Sequence, residues 1–118
     1  MLRTMLLSKI HRATVTQTDI NYVGSITIDK TLLDKTGMLE NEKVEIFDLD
    51  NGNRFATYII AGEPDSGIIG LNGAAARQVS LGDKVIIVNY GMMNDLEIKS
   101  NKPTVIVVDD KNRISEII

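Results

Sequence analysis

The chain has 118 residues, 43% hydrophobic and 25% charged, which suits one folded domain over residues 1–118. Its 13 basic and 16 acidic residues give a net charge of −3, and this opposes a nucleic-acid-binding surface because such binding depends on neutralising phosphates. With no Cys and one His, thiolate nucleophiles and multi-His metal sites are excluded, and we expect no metal cofactor.

The start of the chain carries no targeting signal that we can identify. Its longest apolar run is Met5-Leu6-Leu7, which is too short for a signal-peptide core or a membrane span. We therefore expect a cytoplasmic protein that binds neither membranes nor nucleic acid.

The first predicted elements are a strand, a second strand and a short helix. Residues 4–15 are rich in Thr, Val, Ile and Leu with polar residues between them, which is typical of a strand. A second strand is predicted over residues 23–29. A helix over residues 30–36 follows, with Asp29 as its N-cap and Gly37 at its C-terminal end.

The rest of the chain continues the pattern of short strands. The Asn51-Gly52 pair predicts a hairpin between strands at residues 44–49 and 54–60. The remaining predicted elements are a strand over 67–71, a helical turn over 74–77, a strand over 84–90, a helix over 94–100 capped by Asn94, a strand over 104–108, and a turn or frayed end at Asp109 and Asp110. Six or seven strands with two or three short helices favour a mainly β fold, and a small closed barrel leaves no strand edge exposed.

Individual residues give weak functional signals. Gly24 and Ser25 form a common turn dipeptide, and His11 alone is more typical of a packed strand residue than of a catalytic one. Ser25, His11 and one of the many Asp residues could form a hydrolytic triad, but no spacing in the sequence supports it.

Residues 54–76 carry further candidates that also have ordinary explanations. Alternation along the strand puts Arg54 and Tyr58 on one face and Thr57 on the other. Asn72 begins a run of small residues that suits a tight turn, or a backbone surface that a small ligand can approach closely.

Five segments together are far more specific than any one residue. They are Lys-Ile-His-Arg at 9–12, Tyr-Val-Gly-Ser at 22–25, Asn-Gly-Asn-Arg-Phe-Ala-Thr-Tyr at 51–58, Leu-Asn-Gly-Ala-Ala-Ala at 71–76 and Gly-Asp-Lys-Val-Ile-Ile at 82–87. In this order and spacing, the chain resembles the pyruvoyl-dependent aspartate decarboxylases from Met1 to about Val108. It departs from some members at Phe47, where they have Trp.

The resemblance implies a small six-stranded double-psi β-barrel with short helices, assembled as a homotetramer with active sites between subunits. It also implies decarboxylation of L-aspartate to β-alanine and CO₂, which supplies pantothenate and coenzyme A synthesis. The cofactor would be a covalent pyruvoyl group made from Ser25, with no pyridoxal phosphate and no metal. Self-cleavage between Gly24 and Ser25 would give fragments 1–24 and 25–118, and the need for a maturation helper stays open.

The resemblance also assigns roles to residues. Ser25 becomes the carbonyl that forms a Schiff base with the substrate, and Tyr58 is the proton donor. Gly24 and Thr57 act in processing. Residues implied to bind or line the substrate pocket are Lys9, Arg54, Thr57, Asn72, Gly73, Ala74 and Ala75, while His11 and Tyr22 lie near the processing site with roles left open.

Three alternatives remain at the level of sequence. A non-enzymatic barrel, such as a DNA-binding or scaffold module, is opposed by the net charge of −3. A member of the family that never cleaves itself would keep Ser25 intact. A serine hydrolase would be labelled at Ser25 by an acylating reagent, whereas a pyruvoyl group has no hydroxyl to label.

Overall fold

A computed structural model describes residues 1–118 as nine strands with three short helical segments, so the prediction of a mainly β fold is confirmed. The α-helices are α1 (Lys30–Thr36) and α2 (Asp95–Ser100), and a 3-10 helix spans Gly73–Gln78. The strands are β1 (Arg3–Thr14), β2 (Gln17–Asp19), β3 (Ile26–Asp29), β4 (Lys43–Asp48), β5 (Arg54–Gly62), β6 (Ile69–Asn72), β7 (Lys84–Met93), β8 (Thr104–Val108) and β9 (Ile114–Ile117).

The strands pair in the order β2-β6-β3-β5-β4-β7-β1-β8-β9. β1 and β2 are two parts of one extended segment, and Thr16 between them donates its backbone N–H to the Ile69 carbonyl at 2.9 Å. The sheet thus returns to its own beginning, and six segments form a closed ring: β1 with β2, then β7, β4, β5, β3 and β6. β8 and β9 extend the sheet beside β1. The small closed barrel expected from the sequence is confirmed.

The inside of the ring is filled by aliphatic side chains. In β4, for example, Val44 and Ile46 are buried while Glu45 and Phe47 are partly exposed, as expected when alternate side chains point to opposite faces. β-branched residues suit such positions because they pack well on a pleated surface. The completely buried isoleucines are Ile10, Ile26, Ile28, Ile46, Ile59, Ile69, Ile87 and Ile106.

The local helix signals are confirmed. α1 has the predicted bounds, with the Asp29 carboxylate accepting the Thr31 N–H and Gly37 in the left-handed conformation at φ +79°. At α2, Asn94 and Glu97 form a reciprocal capping box. None of the helices is long and apolar enough to cross a membrane.

Some predicted boundaries are wrong. The strand expected over residues 23–29 begins only at Ile26, because Gly24 and Ser25 adopt positive φ angles that are incompatible with regular strand pairing. The short strands β2 and β9 were not predicted, since three or four residues carry little periodicity. The predicted turn at Asp109 and Asp110 is confirmed, and it leads into β9.

Asp29 joins α1 to the loop before β6, and we predict that it contributes strongly to stability. It is 2% exposed, and its carboxylate accepts N–H groups from Thr31 (2.9 Å), Asp65 (2.9 Å) and Gly67 (2.8 Å). Asp29→Ala should lower the free energy of unfolding by about 2–4 kcal/mol, because a cap and two further charge-assisted bonds are lost.

Urea denaturation measures this loss, and Asn94→Ala is the matched control. Asn94 caps the exposed helix α2, which has no buried residue, so its loss should cost about 1 kcal/mol. Equal losses for the two variants would contradict the anchoring role of Asp29.

Candidate active site

A pocket of about 270 Å³ opens beside the segment that precedes β3. Its walls come from that segment, from β5, from the end of β6 and from the 3-10 helix. The lining residues are Gly24, Ser25, Phe55, Ala56, Thr57, Tyr58, Asn72, Ala74, Ala75 and Gln78. The structure therefore brings together most of the site residues expected from the sequence.

Ser25 lies in the pocket in a strained conformation. It is completely buried, and its φ of +94° is rare for a residue with a side chain. Gly24 before it has φ +41°. A glycine adopts such an angle freely, whereas the backbone strain at Ser25 costs about 1–3 kcal/mol and persists only where surrounding contacts enforce it.

Asn72 provides such contacts. Its backbone N–H donates to the Ser25 carbonyl at 2.9 Å, and its side-chain Nδ2 donates to Ser25 Oγ at 3.0 Å. The second hydrogen of Nδ2 is directed to Thr27 Oγ1 at 3.1 Å. The Asn72 amide is thus held by two hydroxyl groups, and it fixes both the backbone and the hydroxyl of Ser25.

Gly73 lets the chain approach Gly24 closely. A methyl group at Gly73 would lie 2.6 Å from the Gly24 nitrogen and 2.9 Å from the Tyr22 carbonyl oxygen, both impossibly short, and Gly73 itself has φ +64°. Gly73 therefore contributes by having no side chain, although it does not line the pocket.

The phenol of Tyr58 lies over the same peptide. Its Oη is 3.5 Å from the Val23 carbonyl oxygen, and it would be 3.4 Å from a methyl group at Gly24. The side chain is 39% exposed. A hydroxyl at this position can exchange protons with a molecule bound next to Ser25.

Arg54 lies on the face of β5 that also carries Ala56 and Tyr58, as the alternation predicts. It does not line the pocket. Its guanidinium carbon stacks 3.8 Å from the ring centroid of Phe47, the residue paired with it on β4. The aromatic residue at 47 therefore positions the guanidinium through a cation–π contact.

The other predicted site residues lie outside the pocket. Lys9 and His11 are on β1, which is separated from β5 by β4 and β7. His11 Nδ1 is buried without a hydrogen-bond partner, and burial together with the charges of Lys9 and Arg12 lowers the pKa of His11. Tyr22 is exposed, and its backbone carbonyl oxygen lies close to Gly73.

Three lining residues were not among the sequence-based candidates. Ala56 shares the face of Tyr58, so the alternation could have identified it. Phe55 and Gln78 carry no such signal. The backbone carbonyl of Gln78 accepts hydrogen bonds from Asn51 Nδ2 (2.9 Å) and Asn53 Nδ2 (3.0 Å) of the β4–β5 turn, a long-range contact that the sequence does not display.

Comparison with known proteins finds a family profile and relatives that match nearly the whole chain. The aspartate decarboxylase family profile matches residues 1–115. An aspartate 1-decarboxylase of Clostridium botulinum is 61% identical over 97% of this chain and 90% of its own length. Those of Bacillus velezensis and Listeria monocytogenes are 59% and 58% identical, each over 100% of this chain and 93% of their own length.

The fold and the pocket define a small β-barrel in which a Gly-Ser peptide, strained at the buried Ser25, lines an open pocket. With the match to the profile and to these relatives, the chain belongs to the aspartate decarboxylase family.

We predict that Gly73→Ala destabilises the protein more than Gly82→Ala, a substitution at another glycine with a positive φ. Gly82 is the matched control, because it has φ +86° with nothing within 4 Å of the added methyl group. Gly82→Ala should cost about 1–2 kcal/mol from strain alone. Gly73→Ala should cost clearly more, since its methyl group meets the backbone of Gly24.

Thermal and urea denaturation of the two variants give the comparison. If Gly73→Ala lost no more stability than Gly82→Ala, the close packing of residues 24 and 73 would not constrain the site.

Proposed function

We propose that this protein decarboxylates L-aspartate to β-alanine and CO₂ with a pyruvoyl group made from its own Ser25. The carrying observation is the conformation of Gly24 and Ser25, a strained peptide buried against the pocket with its hydroxyl held by Asn72. The names of the relatives support aspartate as the substrate. β-Alanine production would then serve pantothenate and coenzyme A synthesis in the cytoplasm.

Formation of the group would use only atoms of the chain and water. The Ser25 hydroxyl attacks the Gly24 carbonyl carbon, and the peptide C–N bond breaks to leave an ester at Ser25 Oγ with a free amine at residue 25. Elimination opens the ester, releasing the Gly24 carboxylate and leaving dehydroalanine. Hydrolysis of dehydroalanine gives the pyruvoyl carbonyl and ammonia, and the fragments are residues 1–24 and 25–118.

The surroundings of Ser25 support this sequence of steps. The strain at φ +94° is relieved when the peptide bond breaks. Gly24, having no side chain, leaves its carbonyl carbon open to attack. Asn72 Nδ2 orients the hydroxyl, and Thr57 from β5 lines the same pocket.

The pocket also fits the cofactor after it has formed. The small side chains of Ala74 and Ala75 leave room beside residue 25, and Asn72 offers hydrogen-bond donors to an oxygen there. A pyruvoyl carbonyl supplies an electrophile that takes up the substrate amine and the electron pair left by CO₂. Tyr58 stands beside this position and would return a proton to the substrate carbon.

Substrate charge would be met by Arg54 and Lys9. The guanidinium of Arg54 can bind a carboxylate through two parallel hydrogen bonds, and its stacking on Phe47 limits its motion. Lys9 is separated from β5 by two intervening strands. We therefore propose that Lys9 reaches the pocket of a neighbouring subunit, which is the arrangement of a homotetramer with shared sites.

The first test is the mass spectrum of the intact purified protein. We predict two masses, for residues 1–24 and for residues 25–118 with a carbonyl in place of the amino group at its start. Ser25→Ala should give one full-length mass and no decarboxylase activity, because no hydroxyl remains to attack. The control Ser66→Ala, at an exposed loop position, should cleave like the unmodified protein.

Two other outcomes would identify the alternatives. A single full-length mass after prolonged incubation, with Ser25 intact, would indicate a family member without self-cleavage. Labelling of Ser25 by an acylating reagent would indicate a serine hydrolase. Either result would refute the pyruvoyl mechanism.

The second test concerns the shared site. Lys9→Ala and Arg54→Ala should each lower activity by about tens-fold to thousands-fold, as expected when one partner of a buried charge pair is lost. If the two residues meet from different chains, co-expression of both variants should restore activity at about one quarter of the sites.

Co-expression of Arg54→Ala with Tyr58→Phe is the control. Both residues lie on β5 of the same chain. Every chain in a mixed assembly therefore lacks one of the two side chains, and mixing should restore no activity. Failure of the Lys9 and Arg54 mixture to recover activity, in an assembly proven to be mixed, would place both residues in one subunit.

A further inference from the structure

Three carboxylates meet on the barrel where the β4–β5 hairpin packs against the loop before β7. One oxygen each from Asp48, Asp50 and Asp83 lies within 4.8 Å of one oxygen from each of the other two. The backbone fixes this meeting point, because Leu49 N–H donates to the Lys84 carbonyl at 2.8 Å and Asp50 Oδ2 accepts the Lys84 N–H at 2.8 Å. These hydrogen bonds therefore fix the position of the β4–β5 turn relative to the loop before β7, and with it the position of the cluster.

Each carboxylate is anchored through one oxygen and leaves the other free of hydrogen bonds. Asp48 Oδ1 accepts the N–H groups of Asp50 (2.8 Å) and Asn51 (3.2 Å). Asp83 Oδ2 accepts the Ser80 N–H at 3.0 Å. The anchors orient the three side chains, and one unused oxygen remains on each.

Asp48 provides the observation that points to a ligand. Its side chain is 3% exposed, and its Oδ2 is buried with no hydrogen-bond partner. A buried carboxylate oxygen without a partner is costly, so such a group normally binds a proton or a cation.

The basic residues nearest in sequence do not neutralise the cluster. The Lys84 ammonium contacts Thr14 Oγ1 at 2.6 Å and Asp110 Oδ1 at 2.7 Å instead. Arg54, just after the hairpin turn, stacks on Phe47. None of the three cluster carboxylates takes part in an ion pair.

We propose that Asp48, Asp50 and Asp83 bind one hard divalent cation of the calcium and magnesium class. Such cations prefer carboxylate oxygens and complete their coordination with water, which the exposed side of the cluster at Asp50 admits. The bound ion would tie the hairpin to the loop before β7. β5 begins directly after the turn of this hairpin. The ion would therefore stabilise the strand that carries Arg54 and Tyr58 without contacting the pocket.

Titration calorimetry of the purified, EDTA-treated protein tests the proposal. Addition of CaCl₂ or MgCl₂ should give saturable binding of one ion per chain, with a Kd of roughly 10⁻⁴–10⁻³ M. The same ion should raise the Tm above that measured in NaCl of equal ionic strength, because it binds only the folded state.

Variants assign the binding to these residues. Asp48→Asn should abolish the cation-dependent rise in Tm, and Asp50→Asn, at an exposed position that leaves the fold intact, should weaken binding about tenfold or more. Glu116→Gln on β9 removes the same charge from an exposed residue outside the cluster and should bind like the unmodified protein.

Three results would overturn the proposal. The first is the absence of saturable binding by both ions, which would mean that Asp48 and Asp83 share a proton instead. The second is unchanged binding in Asp48→Asn and Asp50→Asn. The third is an equal loss of binding in Glu116→Gln, which would indicate general attraction to an acidic surface.

Discussion

The backbone at Gly24 packs directly against Gly73, and the position of Ser25 follows from that contact. The two chain segments can come this close because Gly73 carries no Cβ. The neighbouring Asn72 then reaches the carbonyl and the hydroxyl of Ser25. A larger residue at 73 would move Asn72 and Ser25 apart and would release the strained backbone.

Packing of β3 within the closed ring offsets the backbone strain at Ser25. β3 begins immediately after Ser25 and pairs with β5 on one side and β6 on the other. Its two isoleucines are completely buried, and at about 1.5–3 kcal/mol for each large side chain their burial is about twice the cost of one strained residue. The same two neighbours bring Tyr58 and Asn72 to the pocket, so fold and site share one set of strand pairings.

Local sequence signals predicted the parts of the fold that depend on local chemistry. α1, with Asp29 and Gly37 at its ends, and the hairpin at Asn51-Gly52 are determined by caps and turn residues. β2 is not, because it exists only through pairing with the distant strand β6. β9 pairs with the preceding strand β8, but its four residues carry little periodicity. The family motifs located Ser25 and Asn72 in the sequence, but the positive φ of Ser25 arises from packing and has no local signature.

Contacts between side chains that are separated in the sequence could not be predicted either. Phe47 is a departure from some family members in the sequence, while the structure pairs it with Arg54 on the neighbouring strand. Asp48 and Asp83 are far apart in the chain and adjacent in the fold, so their proximity could not be inferred from spacing. Motifs therefore predicted residues of the site, but they did not predict which side chains those residues contact.

The place of residues 1–24 in the barrel has a consequence for its assembly. β1 is paired with β7 along most of its length and with β8 on its other edge, while β2 pairs with β6. A break after Gly24 would make residues 1–24 a separate peptide whose two strands still pair within the ring. Folding would have to precede the break, and a denatured sample would regain its structure only by reassociation of two chains, at a rate that depends on concentration.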